Sequence, residues 1–173
     1  MGDTRTIFSF PNPVNEVSAR LVAGGVVLLA ATALVFDQPW LLAPLAYGFL
    51  ARVLTGPTLS PLGQLVTRVI TPRLPVAPKY VAGPPKRFAQ GIGAAVTVTG
   101  AVLHFGFALS GAAQIMLGAI IVAATLESVF AFCIGCKIFG VLMSWGVIPE
   151  EVCERCNDLW QERPQEAKEH IAA

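Results

Sequence analysis

Every cysteine in this 173-residue chain falls in one of two Cys-x-x-Cys pairs, Cys133-Ile134-Gly135-Cys136 and Cys153-Glu154-Arg155-Cys156, with sixteen residues between them. Four thiolates at that spacing fit a tetrahedral zinc site, in which Cys133, Cys136, Cys153 and Cys156 are the metal ligands. They fit equally well two dithiols that exchange disulfides with each other or with a partner, and the same four are then the redox residues. Lys137 beside Cys136 and Arg155 beside Cys156 favour thiolates electrostatically, which serves the redox chemistry. Sequence detail counts against each use. Gly135 sits inside the first pair and no Gly follows its second Cys, unlike a zinc knuckle, and neither pair has the helix-opening Cys-Gly-Pro-Cys context of a thioredoxin. In a third reading the protein is a membrane scaffold or assembly subunit whose cysteines only hold a partner's metal, sulfur species or thiol.

Two more polar residues, His104 and Glu127, stand inside long apolar stretches. An ionisable side chain in such a place is costly unless it is protonated, paired or facing water. On a continuous helix Glu127 points about 120° away from Cys133 and about 180° away from Cys136, so it is poorly placed to act on either sulfur. A buried ion pair with Arg52 or Arg20 is the expected arrangement, with a proton-relay role as the alternative. His104 reads as a polar contact near the outer face.

The elements that must position these residues follow from composition. With 54% hydrophobic and 13% charged residues and a mean hydropathy of +0.65, the chain reads as an integral membrane protein whose immediate partner is the lipid bilayer. The net charge of +1, without a basic tract or stripe, excludes nucleic acid as a partner. No Gly-rich phosphate loop and no Ser, His and Asp arrangement is present, so nothing assigns an enzymatic activity. A hydrocarbon core of about 30 Å asks for roughly 20 apolar residues per helix. Four stretches qualify as spans: 17–36, 39–54, 88–109 and 112–133, the second short enough to require snorkelling or local thinning of the bilayer. The expected fold is all-α, a four-helix transmembrane bundle of two helical hairpins in a single membrane domain over 1–173. An interfacial helix in the middle loop and a short cytoplasmic C-terminal helix complete it, within a Cys-rich segment 133–160.

Charge sets the topology. Of twelve Lys and Arg residues, two lie at or before the first span, six between Arg52 and Arg87, and four from Lys137 onward. The tight connections Asp37-Gln38 and Ser110-Gly111 carry none, so both termini and the middle loop are expected to be cytoplasmic, in a multi-pass cell (inner) membrane protein. All four cysteines then face a reducing compartment, where metal binding or transient redox chemistry is the expected use.

In the middle loop, Ser60 and Pro61 are placed to open a helix over 62–70. Pro72, Pro75 and Pro78 then recur at an interval that favours polyproline II, and Pro84-Pro85 extends the break. That strip is either a stiff tether or a docking strip for a partner. Gly93, Gly100, Gly106, Gly111 and Gly118, with Gly24, Gly25, Ala30 and Ala31, are suited to close helix packing. The same features would allow a homo-oligomer. Gly146 reads as a helix stop, with a new helix opening at Pro149 and carrying Cys153 and Cys156.

Four blocks carry a family resemblance: Pro13-Val14-Asn15-Glu16, Gly56-Pro57 with Ser60-Pro61-Leu62, Phe132-Cys133-Ile134-Gly135-Cys136, and Ile148-Pro149-Glu150-Glu151-Val152-Cys153-Glu154-Arg155-Cys156. In these the chain resembles the uncharacterised bacterial membrane family called domain of unknown function 4395 (DUF4395). The resemblance implies a small helical membrane unit with paired cysteines, and suggests a thioredoxin-like or sulfurtransferase protein as partner.

Overall fold

Asn15 decides where the first helix begins, its Oδ1 accepting the Val17 N–H at 3.0 Å. The structure, a computed structural model, describes residues 10–149 and 152. Helix α1 (Glu16–Val35) runs through an apolar stretch and ends at a turn in which Asp37 takes a φ of 48°. A 3-10 turn, Pro39–Leu41, leads into α2 (Leu42–Thr55). Gly56, at φ 62°, stops it. Ser60 then caps α3 (Pro61–Leu65), its Oγ accepting the Gly63 N–H at 3.2 Å, as the Ser-Pro signal predicts. The backbone widens to a π turn over Val66–Ile70 and tightens to a 3-10 turn over Thr71–Arg73.

The proline strip departs from the expected extended tether at its two ends. Pro72 lies within the 3-10 turn, and β2 (Tyr80–Val81) pairs antiparallel with β1 (Val14–Asn15), placing Val14 opposite Val81 and Asn15 opposite Tyr80. Glu16 receives Lys79 in an ion pair of 2.7 Å at the same place. Pro84 and Pro85 do not break the chain. They occupy the first turn of α4 (Gly83–Ala101), where the backbone N–H that proline lacks has no helical partner to lose. This helix therefore starts five residues before the expected span at 88 and continues as a π turn to Gly106. Helix α5 (Ser110–Phe130) stops short of the expected end at 133, because Ala131 adopts the left-handed conformation at φ 55° and the Phe132 N–H turns back to the Leu126 carbonyl. After it comes α6 (Ile134–Ser144), closed by Gly146 at φ 70° as its sequence position predicts.

Among the described residues, three helices are long and apolar enough to cross a membrane: α1, α4 with its π extension, and α5. Helix α2 with its leading turn, Pro39–Thr55, falls below that length. The most extensive packing runs between helices distant in sequence, α1 against α5 and α2 against α4. Val26, Ala30, Leu45, Phe49, Leu117 and Ile120 fill the centre. Gly93 of α4 is required there, since a Cβ at this position would run into the Phe49 ring. Gly111 and Gly118, by contrast, face open space and take no part in close packing. Leu28, Ile115, Val122 and Phe130 point outward, while Ser18, Arg52, Thr55, Lys86 and Thr97 are buried. Apolar side chains cover the outside, and the few polar side chains that are buried find hydrogen-bond partners within, as a lipid solvent requires.

Candidate functional site

The break at Ala131 determines how the first cysteine pair is presented. Released from α5, Cys133 becomes the N-cap of α6, and its sulfur accepts the Cys136 N–H at 3.3 Å. The two cysteines are joined in a disulfide with their Cα atoms 5.2 Å apart. The first pair therefore does open a helix, contrary to the expectation from its sequence, because cysteine itself takes the capping position usually held by Ser, Thr, Asp or Asn. Cys133 is 9% exposed and lines the interior of the bundle, whereas Cys136 is half-buried. Gly135 between them has a packing role. A Cβ there would press on Cα and Cβ of Ala89, so only glycine lets α6 approach α4 this closely. Phe139 one turn on is buried and meets the Phe88 ring edge-on at 5.6 Å.

Glu127 pairs with neither Arg52 nor Arg20. Its Oε1 lies 2.7 Å from Nζ of Lys86. Arg20 reaches instead to the carbonyls of Ser128 and Val129, at 3.1 and 3.0 Å, and so satisfies the open end of α5. Arg87 does the same for α2 through the Val53 carbonyl at 2.9 Å. Arg52, only 6% exposed, folds inward over the Phe49 ring and donates to Gln90 Oε1 at 2.9 Å and to Ser60 Oγ at 3.4 Å. Sequence reasoning missed Lys86 and Gln90 as members of this cluster. Their i, i+4 spacing, which puts both on one face of α4 beside Gly93, was the available signal.

Because the helix breaks at Ala131, Glu127 and the cysteines do not keep the angular separation of a continuous helix. Glu127 and Cys133 line one cavity of about 200 Å³ between α2, α4, α5 and α6. A second cavity, of about 250 Å³, lies toward β1 and β2 and is lined by Arg52, Lys86 and Gln90. Gln90 faces both. The polar cluster is thus a partition, with Cys133 on one side and the strand pair on the other. Among the described residues no group of three or more Cys, His, Asp or Glu side chains converges. Cys153 and Cys156, the other half of the expected four-thiolate set, lie outside the described residues. His104 sits in the π turn at the opposite end of the bundle, edge-on to Phe105 at 4.9 Å.

A family model, that of domain of unknown function 4395, matches residues 14–144. The chain belongs to the DUF4395 family. The DUF4395 match contains β1, the three long helices, Cys133, Cys136 and the whole of α6, and it ends before Cys153 and Cys156. The first cysteine pair is thus part of the DUF4395 unit and the second lies beyond it. No curated protein and no solved structure matches the chain significantly.

Proposed function

We propose that this DUF4395 protein is a membrane thiol–disulfide redox protein whose working unit is the Cys133–Cys136 pair. The observation that carries this reading is the asymmetry of the pair at a helix N-terminus: Cys136 is the less buried of the two, and Cys133 is buried with its sulfur on the Cys136 N–H. An incoming partner thiolate attacks the Cys136 sulfur, the disulfide breaks, and Cys133 leaves as a thiolate. That leaving group receives a hydrogen bond and the positive end of the α6 dipole, both of which favour the anion. A second partner thiol attacks the partner's sulfur in the mixed disulfide and releases Cys136, so the partner is oxidised to a disulfide and the pair is reduced to a dithiol.

In this reading α2 is the fourth span, the two hairpins stand in the cell membrane, and the ends carrying Lys86, Glu127 and the cysteines face the cytoplasm. Support comes from the excess of Lys and Arg in the middle loop. A thioredoxin-like or sulfurtransferase protein is the proposed soluble partner. The distinguishing experiment is exchange of the purified, reduced chain with glutathione disulfide, read as thiols lost per chain. Two thiols consumed at Cys133 and Cys136 support the reading, and an inert pair overturns it.

A second reading rests on the sixteen-residue spacing of the two pairs. In it Cys133, Cys136, Cys153 and Cys156 hold one Zn²⁺ as thiolates, and the metal ties the start of α6 to the C-terminal segment. Metal content per chain, after purification with reductant and no chelator, separates the two. Close to one zinc, lost on any Cys-to-Ser change, favours the metal site.

A further inference from the structure

We propose that the cavity between Cys133 and Glu127 takes the head of a quinone, and that the reduced Cys133–Cys136 pair passes its two electrons to it. This rests on the redox reading above. The cavity lies between helices whose outer faces carry exposed apolar side chains, which suits a lipid-soluble ligand. Phe49, Ile120, Ala123 and Ile138 supply apolar walls. Gln90, Glu127 and Cys133 supply the polar side. Gln90 spends its Oε1 on Arg52, and its amide N–H groups make no hydrogen bond among the described residues, which leaves a donor for a carbonyl oxygen. At about 200 Å³ the space is smaller than a drug-sized pocket and takes one substituted ring, with any tail left among the helices and lipid. A planar carrier with apolar faces, two carbonyls and a two-electron couple satisfies all of these walls together.

The reaction balances without another component. The Cys133 thiolate, having given up its proton, adds to a ring carbon of the quinone. The Cys136 sulfur then attacks the Cys133 sulfur, the sulfur–carbon bond breaks, and its electron pair stays on the ring. The two protons, one from each thiol, end on the two oxygens of the quinol. Dithiol and quinone become disulfide and quinol. The inward-facing Cys133 delivers electrons to the membrane, and the outward Cys136 collects them from the soluble partner.

The test uses the full chain, reduced, freed of reductant and placed in phosphatidylcholine vesicles, with a short-chain ubiquinone analogue as the probe. The expected result is loss of quinone absorbance with one quinol formed per Cys133–Cys136 pair, and no quinol from Cys133→Ser. Ala123→Leu, which adds bulk to an apolar wall of the cavity and leaves both cysteines in place, should slow quinol formation about tenfold or more. It should leave exchange with glutathione disulfide unchanged. Exchange with glutathione disulfide but no quinol, or quinol formed equally fast by Ala123→Leu, overturns the quinone site and leaves the redox reading standing. Failure of both reactions overturns the redox reading itself.

Discussion

Glu127 Oε1 and Lys86 Nζ lie 2.7 Å apart, and each residue stands three positions from the end of its helix, Lys86 after the start of α4 and Glu127 before the stop of α5. The pair therefore pins together the two helix ends from which the cysteine turn departs. Both side chains are largely shielded, at 9% and 15% exposure. Removing one partner leaves the other charge with no compensation in a poorly solvated place.

Glu127→Leu should accordingly destabilise the protein in detergent by about 3 kcal/mol, the usual scale for breaking a shielded pair. The double variant Lys86→Met with Glu127→Leu should recover most of that loss, because no charge is then stranded. Unfolding midpoints of the two variants against the parent give the comparison. Equal destabilisation of single and double variants would show that the pair is not the source of the effect.

The direction of attack on the disulfide predicts which cysteine traps a partner. In a background with Cys153 and Cys156 changed to Ser, Cys133→Ser leaves the outward Cys136 to form a mixed disulfide that nothing resolves. Cys136→Ser leaves only the buried Cys133. Incubation with a thioredoxin-like protein lacking its own resolving cysteine should give a stable adduct with the first variant and little with the second. Non-reducing electrophoresis reads the result, and a stronger adduct through Cys133 would reverse the assigned roles.

Gly135 predicts a link between helix packing and thiol access. A Cβ at this position meets the backbone of Ala89, so Gly135→Ala must push α6 away from α4. Overpacking of this kind costs about 1–3 kcal/mol. The variant should lose thermal stability and, when reduced, should label faster with maleimide at Cys133, which is otherwise turned inward. An unchanged labelling rate would mean that α6 does not depend on that contact for its position.

What the sequence made legible follows the strength of local signals. Ser60 with Pro61 marked the start of α3, Gly146 marked the end of α6, and the hydropathy of α1 and α5 marked two membrane-length helices to within a few residues. The stop of α5 was hidden, since Phe130-Ala131-Phe132-Cys133 contains neither Gly nor Pro and reads as uninterrupted apolar helix. That single break placed Glu127 and Cys133 on one cavity when periodicity put them apart. Pro84 and Pro85 misled in the opposite sense, because proline ends one helix and begins another with equal ease. Lys86 went unrecognised as the partner of Glu127 because pairing across 41 residues is a property of packing, which no local pattern encodes.

Ala131 carries a conformation that costs an alanine energy and a glycine almost none. At φ 55° its Cβ crowds the following carbonyl, a penalty of about 1–2 kcal/mol that glycine avoids while giving back part of the gain as extra freedom in the unfolded chain. Ala131→Gly should therefore raise stability by up to about 1 kcal/mol without moving the disulfide. A rise in the unfolding midpoint with an unchanged Cys133–Cys136 exchange rate is the expected outcome. A fall would indicate that α5 runs on through 131 and that Cys133 is not a helix cap.

The distribution of positive charge makes the final prediction. The turns Asp37-Gln38 and Ser110-Gly111 hold no Lys or Arg, while the segment from Arg52 to Arg87 holds six. Asp37, His104 and Ser110 line one small cavity, which puts both bare turns at the same end of the bundle. The contacts of Arg20 with Val129, of Asn12 with Gly83 and of Arg87 with Val53 gather the remaining helix ends at the other. Cells hold the basic end on the cytoplasmic side. A reporter active only outside the cytoplasm should be silent when fused at Ala173 and active when inserted at Gln38. The reverse pattern would place Cys133 and Cys136 in an oxidising compartment, where the pair would rest as a disulfide and electrons would flow from outside inward.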